Sequence, residues 1–177
     1  MLQKRLFSRL IHCCSCIALL GAAHLASPHL RAQVPPNLFA GAQVEDIYRI
    51  RLDRDDLLLE SIMDFIKEHN IQDGLLLTAV GSLQECTFHG VTSLAERSER
   101  EYTTLKQPME ILNINGIIAK GEPHFHMTLS NTKGAFGGHL ENGCKVLYRA
   151  ELTIAKLKGT ALARKPNQAG VGVLQEQ

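Results

Sequence analysis

A histidine-bearing hairpin constrains this chain more than any other feature of its sequence. His124 and His126 are two residues apart, so on a β-strand both side chains leave the same face. Residues 127–130 continue as strand, and Asn131-Thr132-Lys133-Gly134 reads as a turn. Whether the hairpin closes with a two-residue loop at 132–133 or a four-residue loop at 131–134, opposing positions carry numbers summing to 265, as 126 and 139 do. His126 and His139 are therefore expected as direct cross-strand neighbours, with Cβ atoms roughly 4.5–5.5 Å apart. His124 is expected diagonally beside them.

Three imidazoles converging from adjacent strands suit a metal ion. An unperturbed imidazole titrates near pH ~6.5, so at neutral pH it is largely uncharged and offers a lone pair. Zinc or a similar divalent transition metal accepts three such nitrogens and keeps a fourth tetrahedral position for water or a ligand. Structural sites, by contrast, fill all four positions from protein. The competing reading is an ordinary half-exposed sheet face, with Gly137-Gly138 as a bulge that shifts the register.

The rest of the chain predicts a small sheet protein. Residues 46–52 alternate, with Tyr48, Ile50 and Leu52 on one side and Arg49 and Arg51 on the other, as in a strand. Residues 53–70 read as the main helix: Leu58, Leu59, Ile62, Met63 and Ile66 form an apolar stripe, Asp53 or Asp55 caps the start, and Asn70 suits a left-handed end. Residues 75–80 and 84–93 read as two strands, the second carrying His89, and the charged stretch 96–101 as a loop or edge hairpin. Further strands fall at 111–120, 125–130, 135–139 and 145–157. Residues 33–43 look like a linker and 161–177 like a flexible C-terminal tail; the basic run Lys156, Lys158, Arg164, Lys165 reads as a solvated strand edge or tail. The expected fold class is α+β: a compact single domain, mostly antiparallel sheet with one main helix packed on it.

Residues 1–32 differ in kind. Lys4, Arg5 and Arg9 precede a short apolar run, and small residues follow at Ala23, Ala26 and Ala32, the outline of a secretory signal peptide. The expected location is periplasmic or extracellular, with no stable transmembrane segment once the leader is removed. Residues 1–32 hold four of the 19 basic residues and none of the 18 acidic ones, leaving 15 basic against 18 acidic and a formal charge of −3. That balance lacks the dense basic footprint of phosphate-backbone binding, so nucleic acid is an unexpected partner. Cys86 and Cys144 remain after the leader. An oxidising compartment would allow a disulfide between them, but two ordinary buried thiols are equally consistent with the sequence.

Several separated motifs carry a family resemblance. Gly121-Glu122-Pro123-His124-Phe125-His126, then Leu129-Ser130, Gly134 and Gly137-Gly138-His139-Leu140, resemble the signature of the PPC ("plants and prokaryotes conserved") domain. So do Tyr48-Arg49-Ile50-Arg51-Leu52, Ala79-Val80-Gly81-Ser82-Leu83, Met109-Glu110-Ile111-Leu112 with Gly116, and Tyr148-Arg149-Ala150-Glu151-Leu152. The resemblance spans residues 44–160 and implies an α/β fold assembling as a homotrimer, with a metal on the histidines in some prokaryotic members. It points to His124, His126 and His139 as ligands. The DNA-associated plant branch carries AT-hooks, and this sequence has no Arg-Gly-Arg-Pro core.

These readings lead to an exported protein that holds a zinc-like metal and binds a small ligand at the open position, with Thr128 and Gly138 as candidate ligand contacts. The alternative is an enzyme, a metal-dependent hydrolase or lyase, with Glu110 as catalytic base. Glu110 also reads as a plain ion-pair partner, Thr128 as a β-branched strand residue, and Glu141 with Asn142 and Gly143 as a turn. His89 is either a further member of the cluster or a packed strand residue.

Overall fold

The computed structural model describes residues 36–159 and 161–177. The expected leader, and the first residues of the linker, lie outside the described residues. Among the described residues, eight strands and one helix follow in the order β1 (Gln43–Asp53), α1 (Leu58–Glu68), β2 (Asp73–Val91), β3 (Arg100–Ala119), β4 (Glu122–Asn131), β5 (Gly134–Leu140), β6 (Lys145–Lys158), β7 (Leu162–Pro166) and β8 (Gly172–Glu176). The first six strands form one sheet in the order β1-β6-β2-β3-β4-β5, antiparallel throughout. The α+β expectation holds.

The sheet closes on itself at one end. β2 is long enough to serve two partners along one edge: residues 73–85 pair with β6, and Phe88 and His89 pair with Leu140 and His139 of β5. β2, β3, β4 and β5 thus make a small closed barrel from which β6 and β1 extend. The two strands expected at 75–80 and 84–93 are one continuous strand, bent by register shifts between Leu76 and Thr78 and between Gly81 and Glu85. Local irregularity had the look of a break; the ladder on β3 carries the chain through it.

Alternation supplies the core. On β4, Phe125, Met127 and Leu129 are buried while His126 and Thr128 between them are exposed. Leu58, Ile62 and Ile66 of α1 join the same cluster with Leu52, Leu76, Leu152 and Ile154. Met63, expected in the helix's apolar stripe, is instead 42% exposed.

The helix begins at Leu58, later than the sequence suggests, and neither Asp53 nor Asp55 caps it. Asp56 Oδ2 accepts the Asp53 backbone N–H at 2.7 Å, forming a turn instead. The chain at 55–58 pairs with 144–146, so the Leu58 N–H reaches the Cys144 carbonyl at 2.8 Å and a tertiary contact replaces the side-chain cap. The other end follows expectation. Asn70 has φ 46°, and the Ile71 N–H closes back on the Ile66 carbonyl at 2.9 Å.

Two features tie the sheet together. Cys86 of β2 and Cys144 just before β6 are joined by a disulfide, S–S 2.08 Å. Residues expected as a loose tail form the β7–β8 hairpin, whose turn is closed by Asn167 Oδ1 accepting the Ala169 and Val171 N–H groups at 3.0 and 2.9 Å. Arg164 fastens this hairpin to the sheet, donating from Nη1 to the Glu122 carbonyl and from Nη2 to the Ile117 carbonyl, both at 3.1 Å.

Candidate metal centre

The β4–β5 hairpin closes with the two-residue loop at 132–133, and Asn131 faces Gly134 across it. Its register follows: His126 opposes His139. Asn131 Oδ1 accepts the Lys133 N–H at 2.8 Å, which stabilises the turn and with it the pairing of the two histidines.

All three expected ligands meet on one face. His124 Nε2 and His126 Nε2 are 3.2 Å apart, with their rings stacked at 15°. The His139 ring stands across both, at 76° to His124 and 87° to His126, with centroids 4.9 and 5.2 Å away. One nitrogen from each ring lies within 4.8 Å of the other two. Two ligands on a tetrahedral zinc with bonds of 2.0–2.1 Å are about 3.3 Å apart, so the His124–His126 spacing fits a shared ion.

Burial and neighbouring charges keep two of these rings, His124 and His139, neutral. Burial lowers the His124 pKa first, and the Arg164 charge and the neighbouring imidazoles lower it further. Burial likewise takes His139 down to about 4, with His124, His89 and His126 pushing the same way and Glu141 opposing them. At neutral pH both therefore present lone pairs rather than protons.

The cluster extends further than three residues. His89, 8% exposed, pairs in register with His139, and their ring centroids are 4.5 Å apart. Its Nδ1 lies 2.6 Å from Glu141 Oε1. An ionised carboxylate only accepts, so in this contact the Nδ1 N–H donates to Glu141. One donor atom each from His89, His139 and Glu141 also lie within 4.8 Å of one another. Glu141 does precede a turn, as the sequence suggests, yet its side chain belongs to the site. The signal was present: residues 139 and 141 are two apart and leave the same face of an extended chain.

Two glycines let β5 approach both neighbours. A Cβ on Gly137 would sit 2.0 Å from the Met127 carbonyl oxygen, and one on Gly138 would sit 2.4 Å from the His89 carbonyl oxygen. Gly138 thus brings the backbones of β5 and β2 together. Thr128 is exposed on the histidine face, between Asn113 and Gly137. Glu110 is exposed on that face too, opposite Ser82 and Ser130. Its register partner is four residues from His126, roughly 13 Å along the strand, and it belongs to neither donor group.

Comparison with known proteins agrees with this architecture. The profile of the Plants and Prokaryotes Conserved (PCC) domain matches residues 40–158. The bifunctional protein GlmU of Synechococcus sp. (strain JA-3-3Ab) is 31% identical over 124 residues, which are 70% of this chain and 19% of that relative. The chain therefore spans about a fifth of the length of the curated relatives it matches. Among solved structures, the metal-containing protein AF0104 of Archaeoglobus fulgidus superposes with a TM-score of 0.71 at 24% identity, covering 80% of this chain and 100% of that one. A Bacteroides thetaiotaomicron protein described as a candidate DNA-binding protein superposes with a TM-score of 0.66 at 19% identity, covering 76% and 94%. At such identities these two structures share the fold.

Proposed function

The chain belongs to the Plants and Prokaryotes Conserved (PCC) domain family, and from that premise we propose that it binds a zinc-like divalent metal through His124, His126 and His139 and a small ligand at the remaining coordination position. One observation carries this reading: three imidazole nitrogens from adjacent strands within 4.8 Å of one another, with burial holding the His124 and His139 rings below the usual imidazole range. Thr128, on the histidine face, borders the ligand's side, whereas Gly138 pairs with the buried Met127. The metal-containing Archaeoglobus relative supports the same reading.

The protein works, in this proposal, as a homotrimer outside the cytoplasm. The Cys86–Cys144 disulfide supports export, because such bonds persist in oxidising compartments, and so does the leader-like stretch at 1–32. A nucleic-acid role is disfavoured by the formal charge of −3 over residues 33–177.

A catalytic reading is the alternative, favoured by the His89–Glu141 pair beside His139. A bound ion supplies Lewis acidity for hydrolysis. The His89–Glu141 pair beside His139 would accept the proton, while Glu110, the base expected from the sequence, lies farther along the strand from His126.

Elemental analysis of the purified protein tests the proposal. Wild type is expected to carry close to one transition-metal ion per chain, and His124→Ala/His126→Ala to lose most of it. Equal, negligible metal in both would sink the metal reading. The same two proteins assayed on ester and phosphoester panels separate binder from enzyme: turnover confined to wild type favours the enzyme.

A further inference from the structure

The hairpin at the C-terminal end of the described chain lies beyond the segment that matches the family, residues 40–158, yet it reaches the histidines. A groove of about 390 Å³ runs between β7–β8 and the sheet, lined by Asn115, Ile117, His124, His126, Arg164 and Leu174 among others. We infer that this groove binds the carboxylate of a small organic acid, with Arg164 holding the carboxylate and Ile117 and Leu174 covering the carbon skeleton beside the histidine cluster.

Three observations lead there. First, the guanidinium is held in place: two backbone carbonyls, from Glu122 and Ile117, take one N–H from each Nη at 3.1 Å. Three of its five N–H groups remain for a ligand. Second, its charge lacks an ion-pair partner among the described residues, where the pairs formed by arginine and lysine involve other cations. Glu122 is near enough to favour the charged form, but burial opposes it. A half-buried guanidinium with no carboxylate paired to it among the described residues favours an anion in the groove. Third, the groove is mixed in character. Inorganic phosphate needs polar partners on every side, whereas apolar walls next to a planar fork suit a carboxylate on a carbon chain.

This inference rests on the metal reading, since a dication beside Arg164 strengthens attraction for the same anion, but the two are tested separately. Calorimetric titration of metal-loaded wild type uses acetate, pyruvate, succinate and inorganic phosphate as probes, and elemental analysis follows metal content in each variant. At least one carboxylate is expected to bind tighter than phosphate. Arg164→Met is expected to weaken that carboxylate tenfold or more with metal content unchanged, and Arg164→Lys to recover only part of the loss because the fork is gone. Hydrogen exchange across 162–176 establishes that the hairpin stays docked in Arg164→Lys. Equal carboxylate affinity in wild type and both variants overturns the inference, and so does tighter phosphate binding or no carboxylate binding. Should wild type take up no metal, the metal reading falls by itself. The titration of metal-free protein then decides the groove: Arg164-dependent carboxylate binding supports it and absent binding overturns it.

Discussion

Protonating His139 places a cation in a half-buried position among three other imidazoles, which is why its ring titrates at about 4 instead of near ~6.5. The consequence for metal-free protein has a definite sign. The folded value lies below the unfolded one, so the unfolded chain takes up the proton first as pH falls. This contribution to stability is fully present above about pH 6.5 and is lost progressively toward about pH 4; His124, shifted the same way, adds to it. Denaturant midpoints of the metal-free protein are expected to fall between pH 7 and 4, and the fall to shrink in His139→Asn. An unchanged pH dependence in that variant would contradict the assignment. Residue spacing alone placed His126 against His139, because a tight turn leaves few registers. It could not place His89, which meets His139 through pairing between β2 and β5, strands separated by about fifty residues of chain. Nor could it foresee that Arg164, in a short basic run, folds back onto the groove beside His124.

The centre depends on β5 touching two strands at once, and Gly137 is where the approach is tightest. Gly137→Ala forces a methyl to 2.0 Å from the Met127 carbonyl oxygen, so β5 must move away from β4 and carry His139 with it. A loss of about 3 kcal/mol or more in unfolding free energy is expected, together with weaker metal uptake, both measured on the same preparation. A stable, fully loaded variant would show that the close packing is dispensable. The disulfide acts on different elements, linking β2 to the start of β6 across a separation of 58 residues. On a chain-entropy account, reduction costs about 4 kcal/mol, which a denaturant curve with and without reductant measures directly. Periodicity gave the strands of the hairpin and the helix stripe well, since burial on one face imposes alternation. It gave less at the ends of elements. Long-range pairing moved the helix start to Leu58, and Asn167 with Arg164 turned the expected tail into a hairpin.

For the molecule as a whole, the proposed trimer answers a problem of surface. α1 contributes to the core on one side of the β1–β6–β2 extension, and the opposite side carries Ile47, Leu77 and Val80, which are 54%, 46% and 47% exposed. β1 also ends the sheet, so among the described residues one row of its backbone N–H and C=O groups has no strand beside it. An edge of that kind, next to exposed apolar side chains, tends to acquire a neighbour. Arg49, Arg51 and Glu151 share this surface with Val80 and Thr153. The charges of both signs there allow a copy of the chain to match it, and closed rotational symmetry uses every such surface once. The purified protein is therefore expected to sediment with three times the mass of one chain. Val80→Asp buries a charge in the contact and is expected to yield monomer, while leaving the histidine cluster on the other arm of the sheet able to take up metal. A wild type that is monomeric throughout the micromolar range would refute the trimer without touching the metal site, because the three ligands come from one hairpin of one chain.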